Sequence, residues 1–269
     1  MHKILWLASL LMVSISASLS ATPKGDGFDI IIPSPVADPD LTSDIGAATV
    51  GLALGLGGDT DTKSAYVNYQ VASFSSKTSL SISALYGTHE YTSGPGKLEG
   101  TEMQFDLLLT RNFIKFEENP NDWRPAKFSL SMYCGLGFSS SDTEVVNTDP
   151  TSGIENLNIE AARNLNIPAK FSSTATGIPL IAGAYINGMI TRRFGYDSFL
   201  DVRQYFLLSG DVYGSPAPLM NLGTNFVILK RPNSYFPLNF YVGALFSFMN
   251  NSADDGLNTG LSIGFRNRW

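Results

Sequence analysis

Ten segments of this chain place an apolar side chain at every second position. In residues 127–138, Phe128, Leu130, Met132, Cys134, Leu136 and Phe138 fall on one parity, and Ser129, Ser131, Tyr133, Gly135 and Gly137 on the other. Successive side chains of a β-strand point to opposite faces, so such a segment has one greasy face and one polar or small face. The pattern recurs near 45–57, 64–73, 79–88, 102–109, 197–208, 221–230, 238–248 and at the end of the chain. In 45–57 the inward parity carries Gly51, Ala53 and Gly55, residues that leave room where a narrow barrel has little. The sixth segment, 177–191, is nearly continuous in hydrophobicity, and its facing stays open. Each segment is about the 9–11 residues that a tilted strand needs to cross a bilayer. Strands in hydrocarbon must close on themselves, because an unpaired backbone group there costs several kcal/mol. The pattern therefore predicts an all-β fold, a single closed antiparallel transmembrane β-barrel.

The two ends agree with this. Leu257, Leu261, Ile263, Phe265 and Trp269 share one parity of the last segment, and Ser262, Gly264, Arg266 and Arg268 the other. A final strand that closes on an aromatic residue resembles the C-terminus of bacterial outer-membrane β-barrel proteins, with a departure at Asn267, where an apolar residue is usual. The resemblance implies that Leu261, Ile263, Phe265 and Trp269 act as the signal read by the barrel-assembly machinery. It also implies a cell-surface protein of a Gram-negative bacterium. Residues 1–21 begin with a short positive start, continue through an apolar run at Ile4–Ile15 and end in small residues. They read as a secretory signal peptide, too short for a spanning helix. Cys134 is the only cysteine, which excludes an internal disulfide and a lipid-modified cysteine beside the signal. Bacterial barrels favour an even strand count. Ten is expected, with eight or twelve open if a pair is split or missed within 139–176.

Residues 43–269 form the expected barrel, and 22–42 precede it as an extended arm. Prolines 23, 33, 35 and 39 remove ladder donors and argue against a central strand there. The apolar part of the arm, Phe28 with Ile30 to Ile32, is expected to dock on or inside the barrel. The connection Ser139–Thr176 is far longer than an ordinary hairpin loop. It is a candidate lumen constriction, receptor site or adhesive tip.

Chemistry is sparsely signalled. Once the signal is removed His89 is the only histidine. The barrel lipases and deacylases pair His with a serine two residues on, which here is Tyr91. The omptin proteases have an aspartate two residues before a histidine, which here is Gly87. No enzyme, cofactor or metal is expected. A net charge of −6 with no basic patch argues against nucleic acid. The candidate site is the set of charges on inward parity: Glu102, Asp106, Asp197, Asp201, Arg203, Arg266 and Arg268. Arg203 and Arg266 are expected to pair with Asp106, Asp201 or Glu102. The set serves either as a salt-bridged plug or as a charged ring selecting ions in a narrow porin-like channel. The expected partners are outer-membrane lipid and small solutes or a surface ligand. If the lumen is plugged, a surface binding or adhesin protein is the alternative.

Overall fold

The alternation folds into ten strands. The computed structural model describes residues 32–33, 36, 46–56, 60–75, 77–93, 96–116, 128–147, 170–191, 193–209, 218–229, 238–249 and 256–268. The strands are β1 (Ala47–Gly55), β2 (Thr60–Ser75), β3 (Thr78–Ser93), β4 (Gly96–Phe116) and β5 (Phe128–Asn147), then β6 (Lys170–Met189), β7 (Phe194–Ser209), β8 (Leu219–Ile228), β9 (Asn239–Met249) and β10 (Gly256–Arg268). Each pairs antiparallel with its neighbour in sequence. The last ladder, from Ala47 opposite Arg268 to Gly55 opposite Gly260, joins β1 to β10 and closes the sheet. Closure leaves no open edge, which is the condition for a sheet to sit in hydrocarbon.

The outward parity is apolar and the inward parity is polar or small. Val50, Leu52, Val67, Ile82, Phe105, Leu107, Leu136, Leu222, Leu261 and Ile263 are exposed on the outside, while Thr49, Asn68, Ser81, Gln104, Ser131, Asn221 and Ser262 are buried inside. In a water-soluble protein this would be inside out. For a barrel in a membrane it is what the two surroundings require. The facing of β6, open from the sequence, is settled: Ile181 and Tyr185 point inward, fully buried, and Ile186 outward. Its pattern is weak because both of its faces are apolar. Aromatic side chains collect outside the end that carries Ala47 and Arg268, termed the inner end from here on. There Phe116 meets Phe128, Phe194 stacks on Phe226, and Phe240 meets Phe265 at 5.5 Å between ring centres. Phe113 and Phe194 are also exposed on the outside at this end. Trp269 lies outside the described residues.

Several boundaries are corrected. The 139–176 connection is strand for much of its length. Its arms continue the β5–β6 ladder from Ser139 opposite Gly177 to Val146 opposite Lys170, and only 148–169 fall outside the described residues. Between the alternating segments 79–88 and 102–109, the β3–β4 ladder continues from His89 opposite Gly100 to Ser93 opposite Gly96. At the inner end, β4 runs on past the alternating segment 102–109 to Phe116. On both outer hairpins the outward side chains turn polar beyond Tyr86 and Phe138, at Thr88, Glu90, Ser140 and Asp142. The hydrocarbon belt ends there, but the hydrogen-bonded ladder does not.

Candidate functional site

The lumen is layered. Along β7 from the inner end, Asp197, Phe199, Asp201, Arg203 and Tyr205 all face inward, because strand parity sends every second residue to the same side. They set the levels of an ionic layer, an aromatic layer, a second ionic layer and an apolar rim.

The outer ionic layer is built around Arg203, which has no solvent exposure. Its Nε donates to Asp201 Oδ1 at 2.5 Å and its Nη1 to Asp106 Oδ2 at 2.8 Å. Asp201 is two residues back on the same strand, whereas Asp106 sits on β4, across the lumen. The Tyr133 hydroxyl donates to Asp201 Oδ2 at 2.9 Å, Gln104 Nε2 to Asp106 Oδ1 at 2.8 Å, and the Tyr205 hydroxyl to Gln104 Oε1 at 3.3 Å. One guanidinium, two carboxylates and three further polar groups thus form a continuous network that ties β4, β5 and β7 together. A buried charge is tolerated where partners satisfy it, as here, and removing one partner of such a pair costs about 3–5 kcal/mol.

The inner layer is built around Arg266. Its Nη1 donates to Asp197 Oδ2 at 3.0 Å and its Nε to Thr49 Oγ1 at 3.2 Å, and its guanidinium carbon lies 5.8 Å from the centre of the Tyr241 ring. Asp197 Oδ1 accepts from Asn225 Nδ2 at 2.5 Å, and Asn225 Oδ1 accepts from Ser262 at 2.8 Å. The expected partners of Arg266 were Asp106, Asp201 or Glu102; its partner is Asp197. Glu102 accepts from Ser139 at 3.2 Å. The side chain of Arg268 lies outside the described residues.

Between the layers, Tyr133, Tyr185 and Phe199 pack with ring centres 6.1 and 5.5 Å apart, against Leu108, Ile181 and Leu245. Glycines make the space. A Cβ on Gly223 would stand 2.2 Å from the Phe199 ring, and one on Gly51 2.6 Å from the Tyr241 hydroxyl, which is hydrogen-bonded to that of Tyr66. Small inward residues of β1 do make room, as expected, and tyrosines occupy it.

The arm adds to this filling, and of the two places the sequence left open for it, on or inside the barrel, its described residues take the inside. Val36, from the arm, is fully buried in the aromatic layer, touching the cluster of Leu108, Tyr133, Phe199 and Leu245. Ile32 is buried nearer the outer end with Ala175, Tyr205 and Leu219. Ile32, Pro33 and Val36, the described residues of the arm, lie inside the barrel. With the arm in place, the cavity bounded by Ile32, Pro33, Asp106 and Arg203 holds about 10 Å³, roughly the space one water needs.

His89 lies above this, beyond the apolar belt, facing inward and 2% exposed. A Cβ on its neighbour Gly100 would stand 2.3 Å from the imidazole Nε2, so the ring lies directly over that glycine. Neither ring nitrogen has a hydrogen-bond partner among the described residues, and burial lowers its pKa to about 4. Cys134 faces outward and is exposed. Among the described residues no group of three or more His, Cys, Asp or Glu is placed to hold a metal.

No family model and no curated protein matches the chain. Solved structures do. The translocator domain of the autotransporter NalP from Neisseria meningitidis is similar with a TM-score of 0.45 and 12% identity, over 83% of this chain and 88% of that one. The outer membrane protease OmpT from Escherichia coli is similar with a TM-score of 0.45 and 9% identity, over 84% and 97%. The NanC porin follows at a TM-score of 0.40 and 7% identity, over 82% and 100%. The wall of the present barrel speaks for itself. Apolar outside, polar inside and without an open edge, it has the architecture of the general outer-membrane β-barrel class.

Proposed function

We propose that this protein is an integral barrel of the bacterial outer membrane whose lumen is closed. On this reading it is a membrane anchor that holds the hairpins at its outer end in place. The observation that carries this is the packing of the described interior: Arg203, fully buried between two carboxylates, lies beside Ile32 and Pro33 of the arm, and the cavity between them holds about 10 Å³. A selective pore needs a continuous wet path past its charges. Ten strands lie near the size at which side chains alone can fill a barrel.

The chemistry of the outer end supports a surface role. The β3–β4 and β5–β6 ladders rise beyond the apolar belt and present Thr88, Glu90, Asp142 and Thr174 to the outside, where Thr174 donates to Asp142 at 2.6 Å. Lipid is the partner of the belt, and Leu261, Ile263 and Phe265 on β10 face that belt as an assembly signal would. Catalysis, cofactors and nucleic acid have no part in this reading.

Swelling of proteoliposomes in sugars of graded size tests it. Folded protein is expected to leave the vesicles as tight as protein-free ones. Swelling that depends on sugar size would establish a porin-like channel and overturn the closed reading.

A further inference from the structure

Three inward-facing polar groups meet on the outer side of the Arg203 layer, on β3, β4 and β5. Glu102 on β4 and Ser141 on β5 stand directly opposite each other in register, where Cβ atoms are about 4.5–5.5 Å apart. His89 on β3 is opposite Gly100, which is two residues from Glu102 on the same strand. Gly100 has no side chain, and the imidazole lies directly over it, with the Asp142 carbonyl oxygen of β5 2.8 Å from where its Cβ would stand. The ring is thereby carried across β4 towards the β5 side. Gly87, opposite Glu102 on β3, adds no side chain at that level.

All three side chains are buried, His89 and Glu102 at 2% exposure and Ser141 at 1%. Neither ring nitrogen of His89 nor the Ser141 hydroxyl has a hydrogen-bond partner among the described residues. Buried polar groups that the protein leaves unpaired point to a bound molecule that pairs them. What that molecule must offer follows from the groups themselves. An ionised Glu102 only accepts, and its Oε1 already takes the Ser139 hydroxyl. A neutral imidazole has one accepting nitrogen, and burial, which lowers the His89 pKa to about 4, keeps the ring neutral near neutral pH. The serine oxygen accepts as well. Three acceptors on three strands, one of them a carboxylate, call for a cation with three donors, and a primary ammonium is that group. A nitrogen about 2.8 Å from each acceptor bridges acceptors about 4.6 Å apart, which matches the spacing across a strand pair. An anion would be repelled by Glu102. Ser141 and His89 are not bonded to each other, so the hydroxyl is not an activated nucleophile.

We propose that His89, Glu102 and Ser141 form a binding site for a primary ammonium group at the outer end of the lumen, where the protein takes up a small soluble amine. The inward parity of all three turns the site away from the bilayer, which favours a soluble amine over a lipid headgroup. The site goes beyond the anchor reading and does not depend on whether the lumen is closed below it.

Nitrogen NMR of the His89 ring tests it. Folded His2→Gln protein, in which His89 is the only histidine, carries isotope-labelled histidine and is held in phosphatidylcholine nanodiscs. Methylammonium is expected to shift a ring nitrogen in a saturable way. Tetramethylammonium, equally charged but without an N–H donor, is expected to leave it in place. Glu102→Gln should weaken the methylammonium response about tenfold or more and Ser141→Ala about fivefold, with folding checked by a heat-dependent gel shift. No saturable shift with methylammonium, an equal shift with tetramethylammonium, or an unchanged response in the folded variants would overturn the site. The same shift in phosphatidylethanolamine nanodiscs without added amine would overturn the soluble ligand in favour of a headgroup.

Discussion

The two faces of the barrel wall are built from the same strands and obey different rules. Outside, Leu52, Ile82, Leu107 and Leu136 form the apolar face that the proposed reading sets against lipid, and each is about half exposed in the isolated chain. A liquid of acyl chains adapts to any apolar shape, so this face constrains polarity and little else. Inside, each group has a particular partner: Arg203 with Asp106 and Asp201, Arg266 with Asp197, Phe199 with the bare backbone of Gly223. Alternation fixes which face a residue serves. Only the inner face requires particular residues to meet.

The largest expected effect comes from breaking the inner rule. Arg203→Ala leaves Asp106 and Asp201 buried without their cation and should cost about 3–5 kcal/mol, read as a lower urea midpoint for the refolded barrel. A double variant, Arg203→Met with Asp106→Asn, should recover part of that loss. Equal midpoints for Arg203→Ala and wild type would show that the ion pairs hold nothing.

Breaking the outer rule comes next. Leu107→Arg puts a charge on the lipid face, at a cost of about 2–4 kcal/mol if the site is near the midplane. Leu107→Met at the same position should be nearly silent. If the two behaved alike, the exterior would not be facing hydrocarbon.

A smaller effect tests packing alone. Gly223→Val changes no charge but forces a branched side chain against the Phe199 ring, and about 1–3 kcal/mol of destabilisation is expected. Leu222→Val, the next residue and outward, should cost less. The reverse order would mean that the interior is loose.

The smallest effect sharpens the comparison above the membrane. His89 has its pKa lowered by burial from 6.5 to about 4, so the folded barrel keeps the ring neutral where the unfolded chain protonates it. The neutral buried ring therefore contributes fully above about pH 6.5, and its contribution falls as the pH drops from 6.5 to 4. The inward neighbours are Thr62 on β2, opposite in register, and Glu102 on β4, one diagonal step away. His89→Gln should flatten the fall in urea midpoint between pH 7 and pH 5. An unchanged slope would place the titration elsewhere.

How far these features could be read from sequence follows from the same contrast. The outward parity of β4 and β5 was plain because hydrocarbon accepts Phe105, Leu107 and Leu136 but not a charge. β6 resisted because Ile181 and Tyr185 are apolar for an internal reason, the aromatic layer. Strand ends were missed where the belt stops, since Ser140, Asp142 and Thr174 continue a ladder with polar residues on both faces. The inward set of charges was legible from parity. That Arg266 meets Asp197 was not, because contacts across a lumen depend on strand tilt and stagger, which no single segment encodes. The arm was legible as a non-strand. Its place inside required knowing how much room Gly51, Gly183 and Gly223 leave and which tyrosines take it.

The most direct measurement is single-channel conductance of refolded protein in a planar bilayer, with folding checked by a heat-dependent gel shift. A folded and electrically silent barrel is the result predicted by the proposed closure, in which the two ionic layers and the arm fill the axis. Discrete conductance steps whose ion selectivity changes in Arg203→Ala would contradict this and make the same charges the filter of a pore.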